Sequence, residues 1–211
     1  MTGERPVPLT TDPAHEARAA SGWDDLVARV QGCVACEELA AARTHVVAGQ
    51  NPPGADVLLV GEAPGAQEDE SGVPFVGRAG QLLDGLLAEA GLRRDRVAVA
   101  NVLKCRPPGN RKPKRAEVGR CRPWLERQVA LVDPQVVVAL GGTAAAWFVG
   151  PGARIAALRE QGRATSLTYA GRRLVVTYHP SAAIRFGPAG APVAALREDL
   201  AAVARFVTEP R

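Results

Sequence analysis

Short, uninterrupted apolar runs alternate with segments of helical periodicity through the middle of the chain. Runs at residues 56–60, 97–101 and 135–140 are typical of strands that are buried on both faces. Apolar positions with helical spacing lie between them, at 79–90 and 116–131. Because strands and helices alternate in this way, the pattern predicts a parallel sheet covered by helices on both faces.

The two ends of the chain differ from this alternating middle. Residues 1–20 are polar, contain proline and lack periodicity, so we expect a mobile tail there. Residues 164–169 and 173–178 alternate around a turn and predict a hairpin, which a last helix over 193–207 follows. The sequence therefore predicts one α/β domain over residues 21–211. It has a central, mostly parallel four-stranded sheet with helices on both faces, and a C-terminal hairpin and helix.

Length and composition narrow the class of protein. The chain has 211 residues, of which 46% are hydrophobic, and this is enough for one well-packed core. No stretch approaches the roughly 18–20 uninterrupted apolar residues of a membrane span, so we expect no membrane association. The N-terminal residues contain no apolar segment of the kind found in secretory leaders, and we therefore expect a cytoplasmic protein.

The chain contains four cysteines, Cys33, Cys36, Cys105 and Cys121. One close pair and two distant thiols suit a site in which four thiolates bind zinc or an iron–sulfur cluster, because the fold must bring soft ligands to one point. Disulfides are an alternative that a reducing cytoplasm disfavours, and inert buried thiols are another. The spacing favours a metal or cluster site and leaves the choice of metal open.

The segment that joins the last two cysteines is strongly basic. From Lys104 to Arg122 the chain carries eight lysine or arginine residues and one acid, Glu117. Such a run either contacts a polyanion, most simply a phosphate backbone, or forms a solvated surface loop. Composition favours neither interpretation over the other.

Four side chains of different chemistry follow the predicted strands or lie in a neighbouring loop, where parallel sheets bind ligands. Glu62 comes after the first strand in Gly61-Glu-Ala-Pro-Gly65, whose small residues let backbone amides approach a ligand. Asn101 ends the second strand and offers a donor and an acceptor side by side, while His179 ends the last strand before a proline that restricts its backbone. Phe75 lies in a loop poor in other bulky groups and suits stacking on a flat ring. Each has an ordinary structural explanation, but together they predict a pocket for an extruded nucleobase.

Five blocks of sequence, taken in order, resemble family 4 uracil-DNA glycosylases, the bacterial and archaeal iron–sulfur members of the uracil-DNA glycosylase superfamily. The blocks are Gly61-Glu-Ala-Pro-Gly65, Pro74-Phe-Val-Gly-Arg-Ala-Gly80, Asn101-Val-Leu-Lys-Cys-Arg-Pro-Pro-Gly-Asn110, Cys121-Arg-Pro-Trp-Leu125 and Tyr178-His-Pro-Ser181. The resemblance implies a monofunctional DNA glycosylase of base excision repair. Such an enzyme flips uracil out of DNA, hydrolyses its N-glycosidic bond and leaves an abasic site.

The resemblance also implies a role for each pocket residue. Glu62 positions or activates the attacking water, and Phe75 stacks on the extruded uracil. Asn101 reads the O4 and N3 edge of the base, and His179 stabilises the negative charge that develops on O2. Further substrate contacts fall on Ala63, Glu68 and Ser181. Among these, Glu68 crowds the C5 position against thymine, and Ser181 stands where many family members carry alanine.

The same resemblance implies a cofactor and a partner. The cofactor is a [4Fe–4S] cluster bound by Cys33, Cys36, Cys105 and Cys121. The partner is uracil-containing DNA, single- or double-stranded, and the expected phosphate contacts are Lys104, Arg106, Arg111, Lys112, Lys114, Arg115 and Arg185. We expect a monomer, because a base-flipping enzyme of this size needs no second subunit.

Some close iron–sulfur relatives are trapped covalently on uracil-DNA through a histidine in an inserted basic loop. Here no histidine lies between His45 and His179, so we expect ordinary turnover. Three other interpretations remain open at this stage. They are a non-catalytic iron–sulfur DNA-binding or regulatory protein, a hydrolase or transferase with a structural zinc site, and a glycosylase with broader specificity for deaminated bases.

Overall fold

Five strands form one sheet, and their order in space differs from their order in the chain. In this computed structural model, which describes residues 9–187 and 190–208, the strands are β1 (Val57–Gly61), β2 (Val97–Asn101), β3 (Val136–Leu140), β4 (Leu167–Tyr169) and β5 (Arg172–Thr177). The order is β2-β1-β3-β5-β4, in which β4 alone runs antiparallel to its neighbour. The predicted fold class is confirmed. The sheet has five strands where four were predicted, because the first arm of the hairpin joins it as an antiparallel edge.

Ten α-helices pack around this sheet in the part of the chain that the structure describes. They are α1 (Pro13–Ala19), α2 (Trp23–Gln31), α3 (Glu37–Ala42), α4 (Ala66–Ser71), α5 (Arg78–Glu89), α6 (Arg115–Val132), α7 (Gly142–Val149), α8 (Ile155–Glu160), α9 (Pro180–Phe186) and α10 (Ala191–Thr208). Short 3-10 turns lie at Arg94–Arg96 and Pro108–Asn110. Over these described ranges, none of the helices combines the length and the apolar character needed to cross a bilayer.

The sheet separates two hydrophobic layers. On one face, Leu59 of β1 packs with Leu83 of α5 and Leu200 of α10. On the other face, Leu58 of β1 packs with Leu125 of α6. Successive strand residues therefore enter opposite layers, and this explains why the strands read as continuous apolar runs without polar alternation.

A third layer, built from α1 to α3, covers the outer side of α6. Ala17 of α1 and Leu26 of α2 are buried there with Trp124 of α6. Asp12 caps α1 by accepting a hydrogen bond of 3.0 Å from the His15 backbone N–H. Residues 13–19, which were predicted to lie in a mobile tail, form a helix that is too short to show apolar periodicity and that packs through Ala17. Residues 1–8, which the tail prediction also covered, lie outside the described residues.

The strand order reverses between β1 and β3. Gly61 at the end of β1 lies beside Asn101 at the end of β2, whereas β3 pairs with the opposite edge of β1. In open α/β sheets, ligands bind outside the carboxyl ends of the strands at such a reversal. The fold therefore predicts a ligand pocket beside Gly61.

Candidate functional site

Three predicted site residues surround a single point at the end of β1. A Cβ placed on Gly61 would overlap Asn101 Oδ1, and it would lie 2.8 Å from Phe75 Cζ and 3.5 Å from His179 Nε2. These side chains come from β2, from the loop after α4 and from the start of α9. Because Gly61 has no side chain, the space between the amide, the aromatic ring and the imidazole stays open.

Phe75 is held in an unusual backbone conformation. Its φ is +57°, in the left-handed region that side chains other than glycine rarely adopt. A Cβ on Gly80 of α5 would overlap the Phe75 carbonyl, so the glycine lets this helix pack directly on the Phe75 backbone. The ring is buried and lies 6.2 Å from the His179 ring, at an interplanar angle of 30°. The surrounding packing therefore holds the aromatic ring beside the imidazole at a local conformational cost.

Glu68 fixes the loop that carries Phe75. Its carboxylate accepts a hydrogen bond of 3.1 Å from the Gly65 N–H and another of 2.8 Å from the Gly77 N–H. Gly65 precedes α4 and Gly77 precedes α5, so one side chain ties together the starts of these two helices, between which the Phe75 loop lies. The predicted contact of Glu68 with the C5 position of the base stays a prediction. In this structure the Glu68 carboxylate holds the segment that carries Phe75 in place through these two hydrogen bonds.

The local contacts of His179 define which of its nitrogens carries the proton. The Ser181 backbone N–H donates to His179 Nδ1 over 3.1 Å, and Ser181 Oγ lies 2.8 Å from the same nitrogen. A backbone N–H can only donate, so Nδ1 is an acceptor and the proton of the neutral ring lies on Nε2. Burial lowers the pKa of His179 to about 4, and the Glu68 carboxylate opposes this shift only in part. The ring is therefore neutral at pH 7 and carries its N–H on Nε2, the nitrogen nearest Gly61.

Glu62 lies at the neighbouring strand end and has a partner that the sequence did not assign. The Thr143 hydroxyl donates a short hydrogen bond to Glu62 Oε2. Thr143 lies in the first turn of α7, whose N-cap residue is Gly141 with a φ of +91°. This hydrogen bond joins Thr143, which follows β3, to Glu62, which follows β1. It therefore fixes the orientation of the Glu62 carboxylate beside the pocket. Ala63, the next residue, packs instead towards the layer of α1 to α3.

The four cysteines line a cavity between α2, α3 and α6. Cys33 and Cys36 come from the turn between α2 and α3, Cys105 follows β2, and Cys121 lies in α6. All four are free thiols in this structure. Burial raises the pKa of Cys36 and Cys105, and it raises the pKa of Cys121 to about 12.

The donors around this cavity fit a thiolate-bound core. Arg43 Nη1 donates to Cys105 Sγ over 3.2 Å and to the Cys33 carbonyl over 2.7 Å. The Trp124 side chain lines the cavity, and its buried Nε1 has no hydrogen-bond partner among the described residues. An anionic sulfur core would supply acceptors for such donors and would keep the cysteines deprotonated. In the described part of the chain, no group of three His, Cys, Asp or Glu side chains is placed to hold a single metal ion.

Lys104 corrects one predicted DNA contact. Its side chain is 1% exposed, and Nζ donates to the Asn101 carbonyl over 2.5 Å. Burial lowers its pKa to about 8, and the sulfurs of Cys121 and Cys105 oppose this shift. The ammonium cannot reach a phosphate. Sequence analysis did not identify Lys104 as buried, because it lies beside a cysteine in a basic segment.

The remaining basic residues of the segment divide into two groups. Arg111 forms ion pairs with Glu117 at 2.6 Å and with Glu38 at 3.0 Å, and Lys114 also pairs with Glu38. Phosphate binding by Arg111 or Lys114 would therefore compete with internal carboxylates. The other predicted phosphate contacts have no ion pair within the described ranges and are exposed or half-buried: Arg106, Lys112, Arg115 and Arg185.

The chain is similar to known proteins over most of its length. The family described as the uracil DNA glycosylase superfamily matches residues 48–201. A type-4 uracil-DNA glycosylase from Thermotoga maritima is 43% identical over 157 residues, which are 74% of this chain and 80% of the relative. A type-4 uracil-DNA glycosylase from Archaeoglobus fulgidus is 48% identical over 58% of this chain and 61% of its own length, and a type-5 uracil-DNA glycosylase from Mycobacterium leprae is 33% identical over 77% and 86%. These matches show that the chain belongs to the uracil-DNA glycosylase superfamily, and that within it the chain is a type-4 member.

Proposed function

We propose that this chain is a DNA repair glycosylase that hydrolyses the N-glycosidic bond of uracil in DNA and leaves an abasic site. The observation that carries the proposal is the convergence of Asn101, Phe75 and His179 on the space above Gly61. An amide, an aromatic ring and a neutral imidazole are the groups needed to read, stack and release a flat, polar base. The identities of the type-4 relatives support the same conclusion.

His179 acts on the leaving base. Cleavage of the bond builds positive charge on the sugar and negative charge on uracil, so the enzyme must stabilise an anion at O2. A neutral imidazole with its proton on Nε2 donates one hydrogen bond to that oxygen, and Ser181 maintains this tautomer by donating to Nδ1. A donor aimed at developing charge contributes about 2.7–4 kcal/mol in comparable oxyanion sites.

Asn101 and Phe75 select and hold the extruded base. The Asn101 amide donates to O4 and accepts from N3–H, a pattern that uracil presents and cytosine does not. The Asn101 side chain is only 3% exposed in the described structure, so an unmatched edge would leave its polar atoms without partners. Stacking on Phe75 offsets part of the cost of flipping, which is a few kcal/mol.

Glu62 provides the polar group on the sugar side of the bond. With Thr143 donating to one carboxylate oxygen, the other oxygen remains to orient the attacking water. The carboxylate also places negative charge where the sugar becomes positive. Glu62 therefore combines water positioning with electrostatic stabilisation of the transition state.

The proposed cofactor is a [4Fe–4S] cluster bound by Cys33, Cys36, Cys105 and Cys121. The thiol-lined cavity, the unpartnered indole N–H and the arginine that contacts a cysteine sulfur support a thiolate-bound core, and the likeness to type-4 relatives favours an iron–sulfur cluster over zinc. When bound, the cluster supplies covalent links between α3, α6 and the segment after β2. It would thereby fix the basic segment that we propose as part of the DNA contact surface, with uracil-containing DNA as the partner of a monomeric enzyme.

A strand-cleavage assay tests the activity directly. Iron-loaded protein is incubated with single- and double-stranded oligonucleotides that carry one uracil, and alkali then breaks any abasic site. We expect a break at uracil and none at cytosine or thymine in the same position. Parallel substrates with hypoxanthine test the broader specificity.

Variants at the two recognition residues separate catalysis from binding. Asn101→Ala and His179→Ala are expected to lower the rate far more than they lower DNA affinity. Binding of uracil-DNA without any break at uracil, from protein with full iron content, would instead support the non-catalytic DNA-binding alternative.

A further inference from the structure

Lys104 is a buried cation without a carboxylate partner. Its side chain is 1% exposed, and none of the ion pairs of the described residues includes it. Burying an ammonium costs several kcal/mol unless nearby groups compensate for the lost water. Its one hydrogen bond in the described structure, to the Asn101 carbonyl, satisfies only one of its three donor hydrogens.

The cysteine cavity is the nearby source of a compensating charge. Lys104 lines the same cavity as the four cysteines, and the sulfurs of Cys121 and Cys105 act on it electrostatically. Four thiolates around a divalent core would carry a net negative charge, because their charges outnumber that of the core. A metal core bound by the cysteines would therefore supply the counter-charge that the position of Lys104 requires.

The segment that Lys104 spans is fixed at several other points. The Val102 and Leu103 N–H groups donate to the carbonyls of Gly61 and Glu62 over 2.9 and 3.0 Å, and the Lys104 carbonyl accepts from Val47 over 2.8 Å. These contacts leave the Asn101 carbonyl as the acceptor that faces the ammonium. A displacement of this carbonyl would rotate the residue whose side chain enters the base pocket.

We propose that Lys104 is a positioning residue that couples the cysteine site to Asn101, because its buried side chain lines the cysteine cavity and its ammonium donates to the Asn101 carbonyl. This proposal rests on the proposed role of Asn101 in reading uracil. Lys104 touches neither the base nor the sugar. It acts by holding the main chain of the residue that does.

A double-mutant cycle tests the coupling on the iron-loaded protein. Lys104→Met is expected to lower the rate on uracil by about 10²-fold, which is the loss that a displacement of roughly 1 Å causes in a positioned group. In an Asn101→Ala background the same change is expected to cost less than about 2-fold, because the side chain that it positions is gone. Equal losses in both backgrounds would overturn the proposal. Arg163→Met, at an exposed position, is the matched control and is expected to leave the rate unchanged.

Lys104→Gln separates the hydrogen bond from the charge. Its amide can still donate to the carbonyl, so we expect a higher rate than for Lys104→Met at equal iron content. The absorbance and reduction potential of the metal site provide a readout independent of activity. Both variants are expected to make the site harder to reduce, because each removes a nearby positive charge, and an unchanged potential would contradict the placement of the ammonium.

A measurement on the unmodified enzyme covers the case in which both variants fail to fold. The chain contains three lysines, Lys104, Lys112 and Lys114, so lysine-selective ¹⁵N labelling gives three ammonium signals. The Lys104 signal is expected to exchange slowly with water and to shift when free uracil binds. The Lys112 and Lys114 signals should not shift. A Lys104 signal that stays in place while uracil binds would overturn the coupling, and because the cleavage activity is measured separately, failure here is distinct from failure of the proposed function.

Discussion

The base pocket and the cysteine site lie at the two ends of one turn, from Asn101 to Cys105, but they are held in different ways. In the pocket, Glu62 and His179 each have a local hydrogen-bond partner, and the absence of a side chain at Gly61 leaves space for a ligand. In the cysteine site, burial raises the pKa of three thiols, and Trp124, whose indole N–H has no partner among the described residues, and Lys104 line the same cavity. Two pocket residues are therefore oriented by the protein itself, whereas we propose that a metal core orders the cysteine site.

Because of this difference, we expect substitutions in one region to affect mainly catalysis and substitutions in the other to affect mainly stability. Changes at Gly61, Asn101 and His179 should lower the rate and leave the fold intact, because these residues do not belong to the hydrophobic layers of the core. Changes in the cysteine site should lower stability first and activity as a consequence. Each experiment below tests one side of that contrast.

The largest effect on the rate is expected from Gly61→Ala. The added methyl group would overlap Asn101 Oδ1, lie 2.8 Å from Phe75 Cζ and contact His179, so the Asn101 and Phe75 side chains must move from their positions. We expect the cleavage rate to fall on the order of 10³-fold, comparable to the loss of an oxyanion donor, while the thermal midpoint changes little.

Gly85→Ala is the matched control for that change. Gly85 lies in the exposed part of α5, and nothing lies within 4 Å of a Cβ placed there. Alanine in a helix interior stabilises by about 0.5–1 kcal/mol relative to glycine, so this variant should be active and slightly more stable. A Gly61→Ala protein that cleaves uracil-DNA at the normal rate would contradict the position of the pocket.

The largest effect on stability is expected from Cys105→Ser. Loss of one thiolate from a buried metal site costs on the order of 5 kcal/mol, which lowers the thermal midpoint of a domain of this size by roughly 10–20 °C. Iron content and absorbance should fall together with the midpoint. Activity per remaining iron should stay normal, since the cysteines do not touch the base. If activity per iron falls as much as it does for Gly61→Ala, the two regions are not separable in this way.

Most of the fold could be predicted from the sequence, because local runs of apolar residues mark the buried strands. The buried parallel strands read as apolar runs, so their positions agree with the structure within about one residue, and β2 was predicted at its observed bounds. Helix α1 was missed because seven residues are too few to show a helical period, and because its buried face consists of Pro13 and Ala17. The fifth strand was assigned to a separate hairpin because pairing between sheet neighbours is a tertiary property.

The pocket residues were predicted from their residue types and from their positions near the ends of strands. The residues that hold them in place were not predicted. Asn101, Phe75 and His179 were each singled out from the sequence, and the structure brings them together. The partner of Glu62, Thr143, lies 81 residues away and has no sequence signal beyond its place after a strand. Lys104 was misplaced on the surface because a lysine in a basic run gives no sign of burial. Contacts across the strand reversal and buried charges depend on the folded arrangement, which a single sequence does not encode in a readable pattern.

A smaller effect is expected from the protonation of His179. Burial lowers its pKa to about 4, so the folded protein binds fewer protons than the unfolded chain between about pH 4 and the ordinary value near 6.5. The contribution of this residue to stability is therefore fully present above pH 6.5 and is lost as the pH falls through this window. The C2 proton resonance of the ring should titrate with a midpoint near 4, and the cleavage rate should show no ionisation of His179 between pH 6 and 8. A midpoint near 6.5 would mean that the ring is charged during part of the working range and is not the neutral donor described above.

The smallest effect is expected from Thr143→Val, which removes the hydroxyl that donates to Glu62 and keeps the shape of the side chain. A typical hydrogen bond contributes about 0.5–1.5 kcal/mol, so the rate should fall by roughly 2- to 12-fold. The loss should appear in the rate of bond cleavage and not in uracil binding, because in the proposed mechanism Glu62 orients the attacking water and Asn101 recognises the base. Thr168→Val in the exposed edge strand β4 is the control and should leave both unchanged. In a Glu62→Ala background the Thr143 change should have no further effect, since the hydroxyl then has no carboxylate to orient. A further loss in that background would assign Thr143 a contact of its own with DNA or water, and the pocket would then extend across the strand reversal to α7.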